Sequence, residues 1–178
     1  MYKGSNLYHI NSCEVVEVFY KIRTDIDKLK FSSYATKIIS DVTTENQDSY
    51  KILQLFLNTL YVIAETEKDL ELVISIFRLR LISIIGFKPE VDKCKGCKTG
   101  ENLTHFSFKD SGFKCEACSK QDSAAIEISE TTIDAVRYII LSDPKKLYSF
   151  NVSEKAKNEL KILSKIYLEE KLEKEYKI

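Results

Sequence analysis

From Val15 onward the apolar positions of the chain return every three or four residues. Val15, Val18, Phe19, Ile22, Ile26 and Leu29 fall on one helical face, and Phe31, Tyr34, Ala35, Ile38 and Val42 carry the pattern into a second helix. The polar run Thr43 to Asp48 reads as a loop, and Leu53, Phe56, Leu57, Leu60 and Ala64 mark a third helix. Asp69 is an N-cap residue for a fourth, which is apolar on most sides through Leu70, Val73, Ile74, Phe77, Leu81, Ile84 and Ile85. A helix apolar all round is a central one, covered by the others. Gly86 ends it in the C′ position, and Pro89 prevents its resumption.

Beyond Pro89 the period shortens. Leu103, Phe106 and Phe108 alternate in part with polar residues, Ser111-Gly112 makes a turn and Phe113 follows, which predicts a small hairpin. Ser129 or Thr131 can cap a fifth helix with Ile133, Val136, Ile139 and Ile140 inside; it stops before Pro144. Ser153 caps a last helix that buries Ala156, Leu160, Leu163 and Tyr167. Its outer face sets Glu170 against Lys174 and Glu173 against Lys177. At the other end, Tyr2, Leu7, Tyr8 and Ile10 around Gly4 and Ser5 predict a turn and one short strand without a partner. The expected architecture is mainly α: a helical bundle with an inserted ribbon, preceded by a remnant strand.

Composition narrows the picture. The chain has 178 residues, 44% of them hydrophobic, enough for one ordinary domain, or one core with a small satellite. Lysine plus arginine number 27 and so do aspartate plus glutamate, which argues against nucleic-acid binding driven by bulk charge. The N-terminus has no charged-then-apolar signal pattern, so a cytoplasmic protein is expected. The most apolar run, Leu70 to Phe87, is interrupted by Glu71, Arg78 and Arg80 and is too short and too charged to span a bilayer.

The chemistry lies in Cys94-Lys-Gly-Cys97 and Cys115-Glu-Ala-Cys118, a C-x2-C-x17-C-x2-C pattern. Paired thiolates at this spacing match a tetrahedral zinc site, with Gly96 supplying the freedom a tight knuckle needs. The competing readings are two disulfides or four idle thiols, and the odd fifth cysteine, Cys13, sits poorly with a secreted disulfide framework. Four cysteine ligands close the shell, so the zinc is expected to be structural. His105, between the pairs, reads as a loop residue. There is no recognisable Ser-His-Asp set, carboxylate pair or H-E-x-x-H, and the carboxylates fall on exposed helix faces, so no enzyme is expected. Lys93, Lys95, Lys98, Lys109, Lys114 and Lys120 surround the cysteines, with Asp92, Glu101, Asp110 and Glu116 diluting their charge. Lys98, Lys109 and Lys114 are the candidate phosphate contacts; the alternative is a solvated face that helps stabilise metal thiolates.

The run Phe77-Arg-Leu-Arg-Leu-Ile-Ser-Ile-Ile-Gly86-Phe-Lys-Pro89 leading to Cys94 resembles the signature of the RecO family of DNA-repair and recombination mediators. Phe106-Ser-Phe with Gly112 and Cys115-x-x-Cys118 is similar to that family's zinc ribbon. Thr132-Ile-Asp-Ala-Val-Arg-Tyr-Ile and Tyr167-Leu-Glu-Glu-Lys-Leu look like its closing helices. Leu7-Tyr-His-Ile-Asn-Ser and Phe19-Tyr-Lys-Ile-Arg23-x-Asp25 resemble the end of its OB-fold and the helix after it. The resemblance divides the chain into an OB-fold remnant at 1–14, a helical domain at 15–90, a zinc ribbon at 91–122 and closing helices at 123–178. It departs in three places: most of the OB-fold is missing, Arg78 stands where the family usually has Glu, and the closing Lys-Ser appears as Lys177-Ile178.

What the resemblance implies is a bacterial, nucleoid-associated mediator that binds single- and double-stranded DNA and anneals strands without ATP. It would contact the C-terminal tail of single-strand-binding protein and the partner RecR, and so support recombinase loading. DNA binding would be weaker here, because much of it belongs to the OB-fold. An acidic, hydrophobic-ended tail needs an apolar pocket rimmed by cations, for which Arg80, Arg78 and then Arg23 are the candidates; their alternative is to snorkel to solvent and cover core with their stems. A free-standing zinc-ribbon nucleic-acid module is the alternative function, and a zinc-dependent hydrolase a more distant one, since it would need an open coordination position.

Overall fold

The computed structural model describes residues 2–3, 8–9, 11–45 and 48–178. In chain order the elements are β1 (Tyr2–Lys3), β2 (Tyr8–His9), α1 (Tyr20–Arg23), α2 (Ile26–Val42), α3 (Tyr50–Glu65), α4 (Leu70–Ile84), β3 (Leu103–Ser107), β4 (Gly112–Cys115), α5 (Glu116–Ser119), β5 (Ile126–Glu127), α6 (Glu130–Leu141) and α7 (Glu154–Leu172). The fold is mainly helical, with α2, α3, α6 and α7 packed around α4 and a small antiparallel sheet, ordered β4-β3-β5, inserted between α4 and α6. Among the described residues no helix is long and apolar enough to cross a membrane.

The α4 helix is central, as its sequence predicts. The Asp69 carboxylate accepts the Leu72 N–H at 2.9 Å, so the helix starts with a filled cap. Its residues from Leu72 to Leu79 are all buried, with Leu81 and Ile82. Gly86 then turns the chain with φ 106°, and the Phe87 N–H bonds to the Ile82 carbonyl at 3.0 Å, a Schellman end. The last helix locks this corner: the Tyr167 hydroxyl donates to the Phe87 carbonyl at 2.8 Å. The Tyr167 ring also stands edge-on to Phe106 of β3 at 5.2 Å, and Phe106 in turn meets Phe113 at 6.0 Å. Helices and ribbon therefore share one continuous core, running from Ile22 to Tyr176.

Several elements differ from the sequence reading. The helix expected from Val15 does not form. The Glu17 carboxylate takes the Val18 and Phe19 N–H groups, Phe19 adopts φ 49°, and Asp25 caps a new helix by accepting from Asp27 and Lys28. Val15, Val18, Ile26 and Leu29 consequently stay exposed. Helix α3 keeps Ala64 inside and Phe56 and Leu60 against the core as expected, but it is turned partly, so that Ile52, Leu55, Thr59 and Ile63 are inside while Leu53 and Leu57 join Tyr50 and Tyr61 in an exposed stripe. Its polar residues Lys51, Gln54 and Asn58 do gather on one side, but which part of the opposite side lies deepest is set by α2 and α4 packing against it. The short first strand has a partner, because β1 pairs antiparallel with β2; Gly4, Ser5, Leu7 and Ile10 lie outside the described residues.

At the far end α7 stops at Leu172 because Glu173 turns into the left-handed region at φ 50°. The expected i,i+4 pairs are replaced: Lys174 reaches Asp41 on α2 at 2.7 Å, and Glu170 pairs with Lys171. Ser129, rather than Thr131, precedes α6. Its cap is supplied from α7: the Glu159 carboxylate accepts from the Ser129 N–H, the Ser129 hydroxyl and the Thr132 hydroxyl at 2.6–2.8 Å. Glu159 is thus a half-buried structural acceptor, against the expectation that carboxylates lie on exposed faces.

The core position Phe77 is fully buried on α4. Phe77→Ala is expected to lower unfolding free energy by about 3–5 kcal/mol. Urea denaturation followed by far-ultraviolet circular dichroism measures this; a loss below about 1 kcal/mol would contradict the central place of α4.

Candidate functional site

The ribbon is assembled on the β3–β4 hairpin. Phe106 pairs with Phe113 and Leu103 with Cys115, so Cys115 lies at the end of β4 and Cys118 follows in the short α5. The other knuckle is hooked to the hairpin by backbone bonds: Phe113 N–H to the Glu90 carbonyl at 3.0 Å and Lys95 N–H to the Phe113 carbonyl at 2.8 Å. The Cys94 N–H bonds to the Thr99 carbonyl at 2.7 Å, and Lys98 closes the knuckle at φ 66°. The Arg137 side chain of α6 donates to the Val91 carbonyl at 2.8 Å, fastening the start of the ribbon to the bundle.

These contacts gather Cys94, Cys97, Cys115 and Cys118, with all four sulfurs within 4.8 Å of one another. Cys115 Sγ lies 3.8 Å from Cys94 Sγ and 3.7 Å from Cys97 Sγ. All five cysteines of the chain are free of disulfides. A tetrahedron with metal–sulfur bonds of about 2.3 Å has edges of about 3.8 Å, the spacing of these two sulfur pairs. Gly96 is needed for closeness as much as for freedom: a Cβ there would lie 2.7 Å from Cys118 Sγ.

The electrostatics agree. Burial pushes the Cys94 thiol up, but the backbone N–H groups of Cys115, Cys97 and Gly96 point at its sulfur and bring its pKa down to about 6. The sulfurs of Cys115, Cys94 and Cys97 crowd Cys118 and push its thiol up to about 12. Four sulfurs this close can all be thiolates only if a cation neutralises them.

Around this centre the predicted phosphate contacts divide. Lys98 and Lys109 are exposed. Lys114 is 7% exposed and lies between Asp110 and Asp122, 2.8 Å from the latter, so it is a buried ion pair and no surface cation. Asp122 also accepts from the Ser107 hydroxyl, and Lys114 first and then Ser107 hold its carboxyl down to about 2. His105 belongs to β3 rather than a loop; its ring nitrogen Nδ1 shares a hydrogen bond with the Thr104 hydroxyl at 2.8 Å.

The three arginines have three different fates. Arg78 is 2% exposed and does not snorkel: its Nε donates to the Tyr34 hydroxyl at 2.7 Å, and its guanidinium lies 4.8 Å from the centre of that ring. Arg80 is half-buried and turns its fork onto the end of α6. Its Nη1 donates to the Ile139 and Ile140 carbonyls at 3.0 and 2.7 Å, and its Nη2 to the Ser142 carbonyl at 2.9 Å. Arg23 is exposed at the end of α1. Arg80 also lines a cleft of about 490 Å³ between α3, α4 and the segment after α6. Leu55, Ile84, Ile140 and Leu147 make its apolar wall, and Lys51 and Lys88 join Arg80 as cations, with no carboxylate among the lining residues. Sequence reasoning missed Lys51 and Lys88, which are separated in the chain and meet only through the packing of α3 on α4.

Residues 23–177 match the family described as Recombination protein O C terminal. The DNA repair protein RecO of Acetivibrio thermocellus is 40% identical over 177 residues, covering 99% of this chain and 70% of that protein. Those of Thermoanaerobacter sp. and Alkaliphilus metalliredigens are 31% and 30% identical, over 71% and 69% of their own lengths.

Gly96→Ala is expected to loosen metal binding at least tenfold while the helices persist, as read by competition with a chromogenic chelator. Asp122 supplies a pH signature. Its carboxyl is depressed from 3.8 to about 2 in the folded chain, so its stabilisation is complete above pH 4 and disappears as pH falls through 2. Asp122→Asn should therefore lower the melting temperature at pH 6, and the difference from the parent should shrink toward zero near pH 2.

Proposed function

Because the chain belongs to the RecO family of DNA repair proteins, we propose that it is a non-enzymatic adaptor in DNA repair and homologous recombination, with a zinc-stabilised ribbon and a helical bundle that receives the C-terminal tail of single-strand-binding protein. The observation that carries this reading is the cleft beside Arg80: an apolar wall and three cations, with no acid among the lining residues and Asp143 just outside acting on Arg80. An acidic peptide ending in a hydrophobic residue is the complementary ligand. Lys51 and Lys88, exposed at its edge, take the carboxylates. Arg80, held by the α6 carbonyls, adds positive field at the wall rather than a free fork. Arg78 acts only inside the bundle, and Arg23 is a more remote surface candidate.

Zinc is the metal that best suits four thiolates at tetrahedral spacing, and with the shell closed its role is structural. Bound there it would neutralise the thiolates and hold the two knuckles together. The exposed Lys98 and Lys109 make the phosphate contacts of a secondary DNA surface, and RecR docks elsewhere on the same chain, so that recombinase loading and strand annealing are supported by contacts rather than by catalysis.

Fluorescence anisotropy with a labelled acidic, Phe-ended peptide tests the adaptor reading. Saturable binding that weakens with salt is expected, and Lys51→Glu with Lys88→Glu should abolish it without unfolding the chain. Unchanged affinity in that double variant would overturn the assignment of the cleft. Arg80→Ala should weaken binding and also lower stability by about 2 kcal/mol, because it uncaps α6. Chelation should release one metal ion per four-cysteine centre and loosen the ribbon more than the helices.

A further inference from the structure

We propose that the ribbon is peroxide-responsive: oxidation joins Cys97 to Cys115 across the two knuckles and expels the metal. This rests on the metal-thiolate reading above and extends it to regulation. The C-x2-C spacing alone would point to disulfides within each pair. The geometry points across them.

Access selects the first sulfur. Cys97 is exposed, whereas Cys94 is 0% and Cys115 8% exposed. Thiolate character and exposure together govern oxidation, and metal coordination supplies the thiolate. Contact across the knuckles supplies the second. Cys115 Sγ is 3.7 Å from Cys97 Sγ, within reach of a small rotation about each Cβ. Cys94 is fully buried, and its sulfur receives the Cys115 N–H at 3.4 Å.

The steps balance. The Cys97 thiolate attacks one oxygen of hydrogen peroxide, the O–O bond breaks, and hydroxide leaves and is protonated to water. Cys97 is then a sulfenic acid. The Cys115 thiolate attacks Cys97 Sγ, the S–O bond breaks, and the second hydroxide leaves as water after protonation. The two sulfurs lose two electrons in all, the peroxide gains them, and the metal departs with its charge unchanged. Cys94 and Cys118 remain as thiols, too few to hold it. Because the new bond spans the knuckles, the oxidised ribbon stays closed where a chelated one opens.

The test uses the full metal-loaded chain with limiting hydrogen peroxide. Released metal is read with a chromogenic chelator, disulfides by non-reducing peptide mapping, and closure by hydrogen exchange at Phe106 and Phe113. Cys13, a free exposed thiol outside the centre, is the internal reference. Expected are one metal released per two thiols oxidised, a Cys97–Cys115 cross-link, and Phe106 and Phe113 amides more protected than after chelation. Disulfides within the pairs, or metal retained at peroxide levels that consume Cys13, would overturn the inference. A folded chain purified with its thiols free and no metal would instead overturn the metal reading beneath it.

Discussion

Helix α4 buries ten of its fifteen residues, and that demand arranges the rest of the molecule. A helix apolar around its whole circumference must be covered on every side, and no single neighbour can do it. Helices α2, α3, α6 and α7 each take a sector. The remaining corner, where Gly86 turns the chain out of the helix, is covered by Tyr167, whose hydroxyl holds the Phe87 carbonyl. Since the same tyrosine ring packs on Phe106, the cover of the helix end is also the floor of the ribbon. The four-cysteine cluster is therefore oriented by the hydrophobic core as well as by its own two knuckles.

Burying so much of α4 traps polar groups, and their partners come from distant elements. Arg78 finds the Tyr34 phenol, Arg80 the carbonyls left open at the end of α6, and Glu159 the donors at its start. The bonds to α6 remove orphan backbone groups that would otherwise be costly inside, whereas Arg78 is only partly satisfied, its Nη1 staying buried without a hydrogen-bond partner. Helix α6 is held at both ends this way, which fixes the wall of the cleft that carries the proposed peptide site. Lys114, sequestered between Asp110 and Asp122, does the equivalent for the turn beside Cys118.

Much of this was legible in the sequence. The C-x2-C pairs specified a four-cysteine cluster because two sulfurs on a tight turn converge on one point, and Gly96 marked the knuckle. Asp69, Ser153 and Gly86 marked helix ends correctly because caps depend on local backbone geometry. The helix expected from Val15 failed because Glu17 and Asp25 compete for the backbone N–H groups, a local effect that apolar periodicity does not register.

What depended only on neighbours in the chain, the sequence by itself determined: the cysteine turns, the caps, and the all-round apolar character that made α4 central. What depended on distant partners was decided by tertiary structure. Which face of α3 turned inward, that Lys114 pairs inside the ribbon while Lys98 stays outside, that Arg78 lies buried while Arg80 borders a cleft with Lys51 and Lys88, all followed from packing. The physical reason is range. A knuckle or a cap is stabilised by bonds a few residues long, whereas the environment of a charged side chain is set by whichever helix or strand the core brings against it.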